Sequence, residues 1–473
     1  MTETRIFYSC SCRLLIVLFG LLNHGCRSCA NPDKENVILI VIETLRTDRL
    51  GFHGRTPSIT PNLDAFAEKS VVFERAHSAS SWTKTSVASI LTGLNPYRHG
   101  VFEENGILGI LPSDVVTIAE ALEEAGYDTT AVALNPHISK PNGYQQGFDD
   151  FIYQKDWNIN TTDWGTDQAI KHLEDASSWS PQFFYIHYLD PHDPWPKREF
   201  CDRFLPKYAP PNPNVADGQG WFLSGEHLIV NAKEGTLPKP VPMNKDDLTY
   251  LMGLYDCEVA MVDSALGRLF GYLEKNGWFD NSTIIITADH GEEFLDHGMI
   301  RHGYQLFDET THVPLIVRNK RLKPAVRQET VSGMDIAPTI YRLTNVSVPR
   351  RHYDGVVLPG VQSSPDRRWS AFGLTRFRKQ HQAFLQNGDL KVISDFNRDS
   401  CASYNTRKDP GEQHPVPCHQ SDASKSLVQR LGRIRTEALK QAARRDQAKG
   451  NTGRSLTEQE KEQLKQLGYV VEE

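Results

Sequence analysis

Asn36-Val37-Ile38-Leu39-Ile40-Val41-Ile42 is an unbroken apolar run rich in β-branched residues. Alternation of apolar and polar residues would mark a strand with one wet face. A run that is apolar throughout marks a strand buried on both faces, as in a parallel sheet covered by helices. The same character returns at Thr129 to Leu134, Phe183 to Leu189 and Thr283 to Ala288, with helical patterns at Val115 to Gly126 and Tyr255 to Asn276. Strands alternating with helices predict an α/β fold, a layered αβα domain around a mostly parallel sheet, here expected over 36–348.

From Pro196 to Asp246 the chain is rich in Pro, Gly, Asn and charge without clear periodicity, which predicts an irregular surface insertion that shapes access to a site. A smaller C-terminal α+β section is expected over 349–473. It holds the strand-like runs Ala383-Phe384-Leu385 and Leu390 to Ile393, then a helical tail from Ser421 to about Lys449 whose many basic residues read as a solvated face. No internal repeat is present.

The 473 residues, 39% hydrophobic and 23% charged, fit an ordinary globular protein and exclude disordered and collagen-like classes. A formal charge of -7 gives no basic face for a nucleic-acid backbone, so no nucleic-acid partner is expected. Residues 1–30 read as a signal peptide: Arg5 and Arg13 precede the apolar run Leu14 to Leu22, which is short for a bilayer span. Cys26 after Gly25 is placed as in a lipoprotein leader, although Asn23 stands where such sites carry Leu. The expectation is export to the periplasm or cell envelope, either soluble or tethered to the membrane through the N-terminus. Four cysteines beyond the leader, Cys201, Cys257, Cys401 and Cys418, allow disulfides, and Cys401 with Cys418 would close a loop. Their pairing is left open.

Polar clusters follow three of the apolar strands: Glu43 to Asp48, Asp190 to Trp195, and Asp289-His290-Gly291-Glu292. In layered α/β folds ligands collect at the carboxyl ends of strands. A single carboxylate there often only caps the next helix. Two such ends, one closing with Asp-His, make a plausible site for a hard divalent cation.

Several segments together resemble the sulfatase family of the alkaline-phosphatase superfamily. They are Asn36 to Leu50, Ser81 to Gly93 with Pro96 and His99-Gly100, and Thr287 to Leu315 with His297-Gly298 and His302-Gly303. Asp409 to Gln413 and Lys465 to Tyr469 complete the set. The resemblance covers nearly the whole chain from Asn36 and implies an alkaline-phosphatase-like fold and the hydrolysis of sulfate or phosphate esters. It also implies that Glu43, Asp289 and His290 bind one divalent metal ion (calcium, manganese or zinc), with the hydroxyl of Thr83 completing the set. Thr83 would be the nucleophile, and His192 and His302 would act on the transferred group or its leaving oxygen. His137 is a weaker substrate-binding candidate. Lys84 either attracts an anion or is a solvated lysine. His187 reads as a hydrogen-bonded core histidine, and His99 as packing a turn.

The chain also departs from that family. Sulfatases proper carry Cys or Ser in Cys/Ser-x-Pro-x-Arg, oxidised to formylglycine; here Thr83, Thr85 and Val87 hold the three places. Threonine is a secondary alcohol, and its oxidation would give a ketone rather than an aldehyde. Glu43-Thr44 replaces the usual paired acids. This pattern resembles the threonine-using phosphoethanolamine transferases and lipoteichoic-acid synthases, which makes phosphoryl transfer to an envelope lipid or glycan the alternative activity. Those relatives carry several membrane spans, whereas this chain has a leader alone, so hydrolysis of a small-molecule, glycan or lipid ester is the leading expectation. A non-catalytic binding protein would be expected to lack metal ligands, whereas Glu43, Asp289 and His290 are chemically competent.

Overall fold

The computed structural model describes residues 34–449 apart from 105–106, 155–159, 217, 220–222, 225–236, 238 and 362–369. The leader and the Lys465 to Tyr469 segment lie outside the described residues.

Eight strands form the main sheet: β1 (Asn36–Ile42), β2 (Val71–His77), β3 (Asp128–Ala133), β4 (Asp150–Tyr153), β5 (Gln182–Tyr188), β6 (Ser282–Ala288), β7 (Leu315–Arg318) and β8 (Ala325–Ser332). Their order across the sheet is β8-β2-β7-β6-β1-β5-β3-β4. Only β7 runs antiparallel to its neighbours, so the sheet is mostly parallel. The run that opens the sequence lies in its middle, and Val37 to Ile42 are wholly buried. The main helices are α1 (Pro61–Ala67), α2 (Thr83–Thr92), α3 (Ile118–Glu124), α4 (Thr161–Glu174), α5 (Lys245–Lys275) and α6 (Ile336–Thr344). They pack in two groups, α1 and α4 against α5, and α2 with α3 and α6, which cover the sheet.

Helix α5 begins ten residues before the expected Tyr255. The Asn244 side chain accepts hydrogen bonds from the amides of Asp246 and Asp247 and so satisfies two orphan donors of the first turn. The apolar positions of that first part were masked by the neighbouring Pro-rich stretch. Strands β2, β4, β7 and β8 also went unpredicted. β4 and β7 are only four residues long, and β8 has exposed residues along its first half, so neither length nor an unbroken apolar run marked them.

The C-terminal section is an antiparallel sheet in sequential order, β9 (Ala371–Thr375), β10 (Gln382–Asn387), β11 (Leu390–Asp395), β12 (Ser400–Asn405) and β13 (Val416–Pro417), packed against helix α7 (Asp422–Lys449). Buried Lys391 fastens it to the main domain, with Nζ 2.7 Å from Asp308, and pairs with Glu412 of its own section at 3.0 Å. Cys401 pairs with Cys418 inside this section, and Cys201 pairs with Cys257 of α5.

Candidate active site

The sheet order explains how residues far apart in sequence meet. Strands β6, β1 and β5 are parallel neighbours, in register at Ala288, Ile42 and Tyr188, and β3 flanks β5. Their carboxyl ends therefore deliver Asp289-His290, Glu43, Asp190 to Asp193 and Asn135 to one edge. Thr83 is the first residue of α2, whose N-terminal amides face the same edge. The partial positive charge of a helix N-terminus favours an anion there.

The Thr83 hydroxyl donates to Glu43 Oε1 at 2.7 Å and lies 3.0 Å from His290 Nε2. Asn135 Nδ2 donates to the same Glu43 oxygen at 2.6 Å. Asp289 Oδ1 accepts from the amides of Thr44 (3.0 Å) and His290 (2.8 Å). Thr44 makes the first of these at φ 54, in the left-handed region that a β-branched residue rarely enters. His290 Nδ1 donates to the Gly291 carbonyl at 2.8 Å, which turns Nε2 toward the site, 3.3 Å from Asp289 Oδ2.

Three acceptors thus converge: Glu43 Oε2 and Asp289 Oδ2, both buried without a hydrogen-bond partner, and His290 Nε2. Ligand atoms of these three residues all lie within 4.8 Å of one another. Buried carboxylate oxygens facing one another are costly unless a proton or a cation lies between them. The donor set fits a divalent ion. Burial, reinforced by the Asp289 charge, raises the Glu43 pKa well above the ordinary carboxylate range. A bound cation would reverse that by favouring the ionised acid.

His192 and His302 stand beside this group. Their rings are 5.0 Å apart, and His302 is 4.3 Å from the His290 ring. His192 Nδ1 donates to the Asp193 carbonyl at 2.5 Å and its Nε2 lies 3.9 Å from Glu43. His302 Nδ1 is 3.0 Å from Glu292 Oε1, which fixes the ring. His137 packs edge-on against Trp82 at 5.3 Å. All three histidines are held well below the usual imidazole pKa, first by burial and then by neighbouring positive charge, including that of Arg301. Lys84 is fully buried and donates to Asn142 Oδ1 at 2.8 Å, which overturns the solvated-lysine alternative.

Sequence reasoning passed over Arg301 and Asn135, and placed Asp193 and Glu292 in polar clusters without giving them a role. Arg301 is buried and pairs with Asp193 at 2.9 Å, leaving a guanidinium among the histidines. Its position just before His302 was the available signal. Asn135 lies two residues before His137, a spacing that single residues do not advertise. His187 sits in β5 as a core residue, but both ring nitrogens lack a hydrogen-bond partner, contrary to expectation. Burial keeps it neutral by lowering its pKa to about 4. His99 holds a turn, with Nε2 3.0 Å from the Ser89 hydroxyl and Nδ1 accepting from the Val101 amide.

The sulfatase family model matches residues 35–346. The chain is 25% identical to the N-acetylglucosamine-6-O-sulfatase of Bacteroides thetaiotaomicron over 492 aligned residues, 85% of this chain and 88% of that protein. A protein solved in complex with its substrate D-glucosamine-2-N,6-O-disulfate superposes with a TM-score of 0.70 at 23% identity, covering 88% of this chain and 100% of that one. The phosphonate monoester hydrolase of Agrobacterium radiobacter superposes with a TM-score of 0.68 at 22% identity, covering 86% and 96%. These superpositions establish the alkaline-phosphatase-like fold. Fold and relatives together define a hydrolase of sulfuric or phosphoric esters. The chain belongs to the sulfatase family.

Proposed function

We propose that this chain hydrolyses sulfate esters of small molecules or glycans, with Thr83 as nucleophile and one divalent cation held by Glu43, Asp289 and His290. The observation that carries the reading is the Thr83 hydroxyl, 2.7 Å from Glu43 and 3.0 Å from His290 Nε2 at the start of α2. A cation bound there would supply Lewis acidity, favouring the ionised hydroxyl and offsetting charge on the ester oxygens. Carboxylates with one imidazole suit calcium, manganese and zinc alike.

The remaining chemistry falls to the chain's own groups. The amides of α2, Lys84 and Arg301 attract the anionic group and orient it for in-line attack by Thr83 Oγ1. The negative charge of the bound ester raises the depressed pKa values of His192 and His302, so one of them takes a proton from solvent and gives it to the leaving oxygen. The Thr83 proton is lost to solvent as the hydroxyl ionises. His137, beside Lys84, contacts the same group. Water then releases the covalent ester from Thr83. Release to an acceptor hydroxyl instead would make the protein a phosphoryl-group transferase. A threonine where formylglycine would otherwise stand is the feature that favours this second reading.

The name of the N-acetylglucosamine-6-O-sulfatase relative supports a sulfated saccharide as substrate. We place the protein in an oxidising exported compartment, a reading supported by its two disulfides, with a membrane tether if Cys26 is lipidated.

The test is a brief pulse with nitrophenyl sulfate or nitrophenyl phosphate, followed by mass spectrometry of the Thr83 peptide and product analysis. A sulfated or phosphorylated Thr83 with release of the inorganic anion is expected. An unlabelled Thr83 beside a modified residue elsewhere sinks the mechanism, and a modified acceptor in place of free anion establishes transfer.

A further inference from the structure

The segment Thr375-Arg376-Phe377-Arg378-Lys379-Gln380-His381-Gln382 joins β9 to β10, carries three permanent cations and contains no acid. It reaches from the C-terminal sheet to the rim of the Thr83 site. Phe377 stacks on Trp82 at 4.7 Å, and Trp82 immediately precedes Thr83. The same ring fills the space above Gly303, next to His302, where any Cβ would strike it. The Thr375 hydroxyl donates to the Gly303 carbonyl, and Arg378 Nη1 donates to the Tyr304 hydroxyl at 3.0 Å. One buried aromatic thus locks the loop onto residues flanking the candidate nucleophile and a candidate proton donor, while Arg378 is half-buried and Lys379 exposed.

Arg378 and Lys379 occupy φ 45 and φ 64, two consecutive left-handed residues. Glycine or asparagine would adopt these angles at lower cost. Cations kept in a strained backbone, at a place fixed relative to a reactive centre, point to use rather than to solvation. An ordinary solvated charge run needs neither the anchor nor the strain.

We propose that Arg378 and Lys379 form a subsite for a second anionic group on the substrate, beside the ester that is cleaved. The substrate class is then an oligoanionic saccharide ester bearing a further sulfate or carboxylate. This rests on the ester-hydrolase reading of the Thr83 site and adds a specificity determinant to it.

The test uses the full chain with Thr83→Ala, so that bound esters survive, and calorimetry with three ligands. They are a monosulfated monosaccharide, its disulfated form, and a monosulfated disaccharide bearing a uronate. At low ionic strength the two dianions are expected to bind about tenfold more tightly than the monoanion, and the larger gain identifies which group the subsite takes. That advantage shrinks as salt rises. It falls to near onefold in a protein that also carries Arg378→Gln and Lys379→Gln. Equal binding of mono- and dianions, or an advantage that persists in the Gln variant, overturns the proposal. Should that variant fail to fold, the Thr83→Ala protein decides alone: an affinity for dianions no more salt-sensitive than for the monoanion rejects the subsite. Dianion preference in a protein whose unsubstituted form turns over no ester leaves the subsite standing and removes the hydrolase reading.

Discussion

On the proposed reading, the hydroxyl at position 83 serves as a nucleophile that needs no prior oxidation. Thr83→Ala is expected to lower kcat on nitrophenyl sulfate or phosphate by at least about a thousandfold, since removing a nucleophile leaves only binding and electrostatics. Thr83→Ser keeps the hydroxyl and should retain measurable turnover. Asn135 acts on the site through Glu43, holding Oε1 at 2.6 Å so that Oε2 is turned toward the convergent acceptors. Asn135→Ala is expected to weaken divalent-ion affinity about 10- to 100-fold, read by titration of the metal-stripped protein with calcium, manganese and zinc. Unchanged affinity would remove Asn135 from the site's support. The acids and Asp289-His290 were legible as residues because they directly follow apolar strands. Asn135 and Arg301 were not, since their roles depend on partners 92 and 108 positions away, Glu43 and Asp193.

Among the elements, the turn after β6 is tightly specified. The Gly291 amide donates to the Thr310 carbonyl at 2.9 Å, and the Glu292 amide to that of Glu309 at 3.0 Å. The backbones approach so closely that a Cβ at Gly291 would overlap the Glu309 carbonyl oxygen. Gly291→Ala should therefore cost about 2 kcal/mol or more of stability and displace Asp289 and His290 with the turn. Chemical denaturation together with metal titration checks both effects. The buried central strands could be read from their unbroken apolar runs, and so could the strand ends that carry chemistry. Edge strand β8 and the first part of α5 could not, because half-exposed residues or a neighbouring irregular stretch blurred their periodicity.

Across the whole molecule, buried charge couples stability to pH. Glu258 on α5 is raised from its ordinary 4.5 to about 8, chiefly by burial and then by Asp190, outweighing its 2.8 Å pair with Arg198. The folded protein then holds a proton that the unfolded chain releases. This contribution to stability is greatest below pH 4.5 and is lost as pH rises through 8. Glu258→Gln is expected to flatten the fall in melting temperature between those limits, and an unchanged pH profile would contradict the assignment.

The sequence by itself determined which residues have the chemistry to form the site and which strands must be buried, because residue type and periodicity are local properties. Tertiary structure alone decided that β6, β1 and β5 lie side by side, that Lys84 is enclosed rather than solvated, and that the β9–β10 loop meets Trp82. Those outcomes depend on strand order and on packing between distant segments, which no local stretch of sequence encodes.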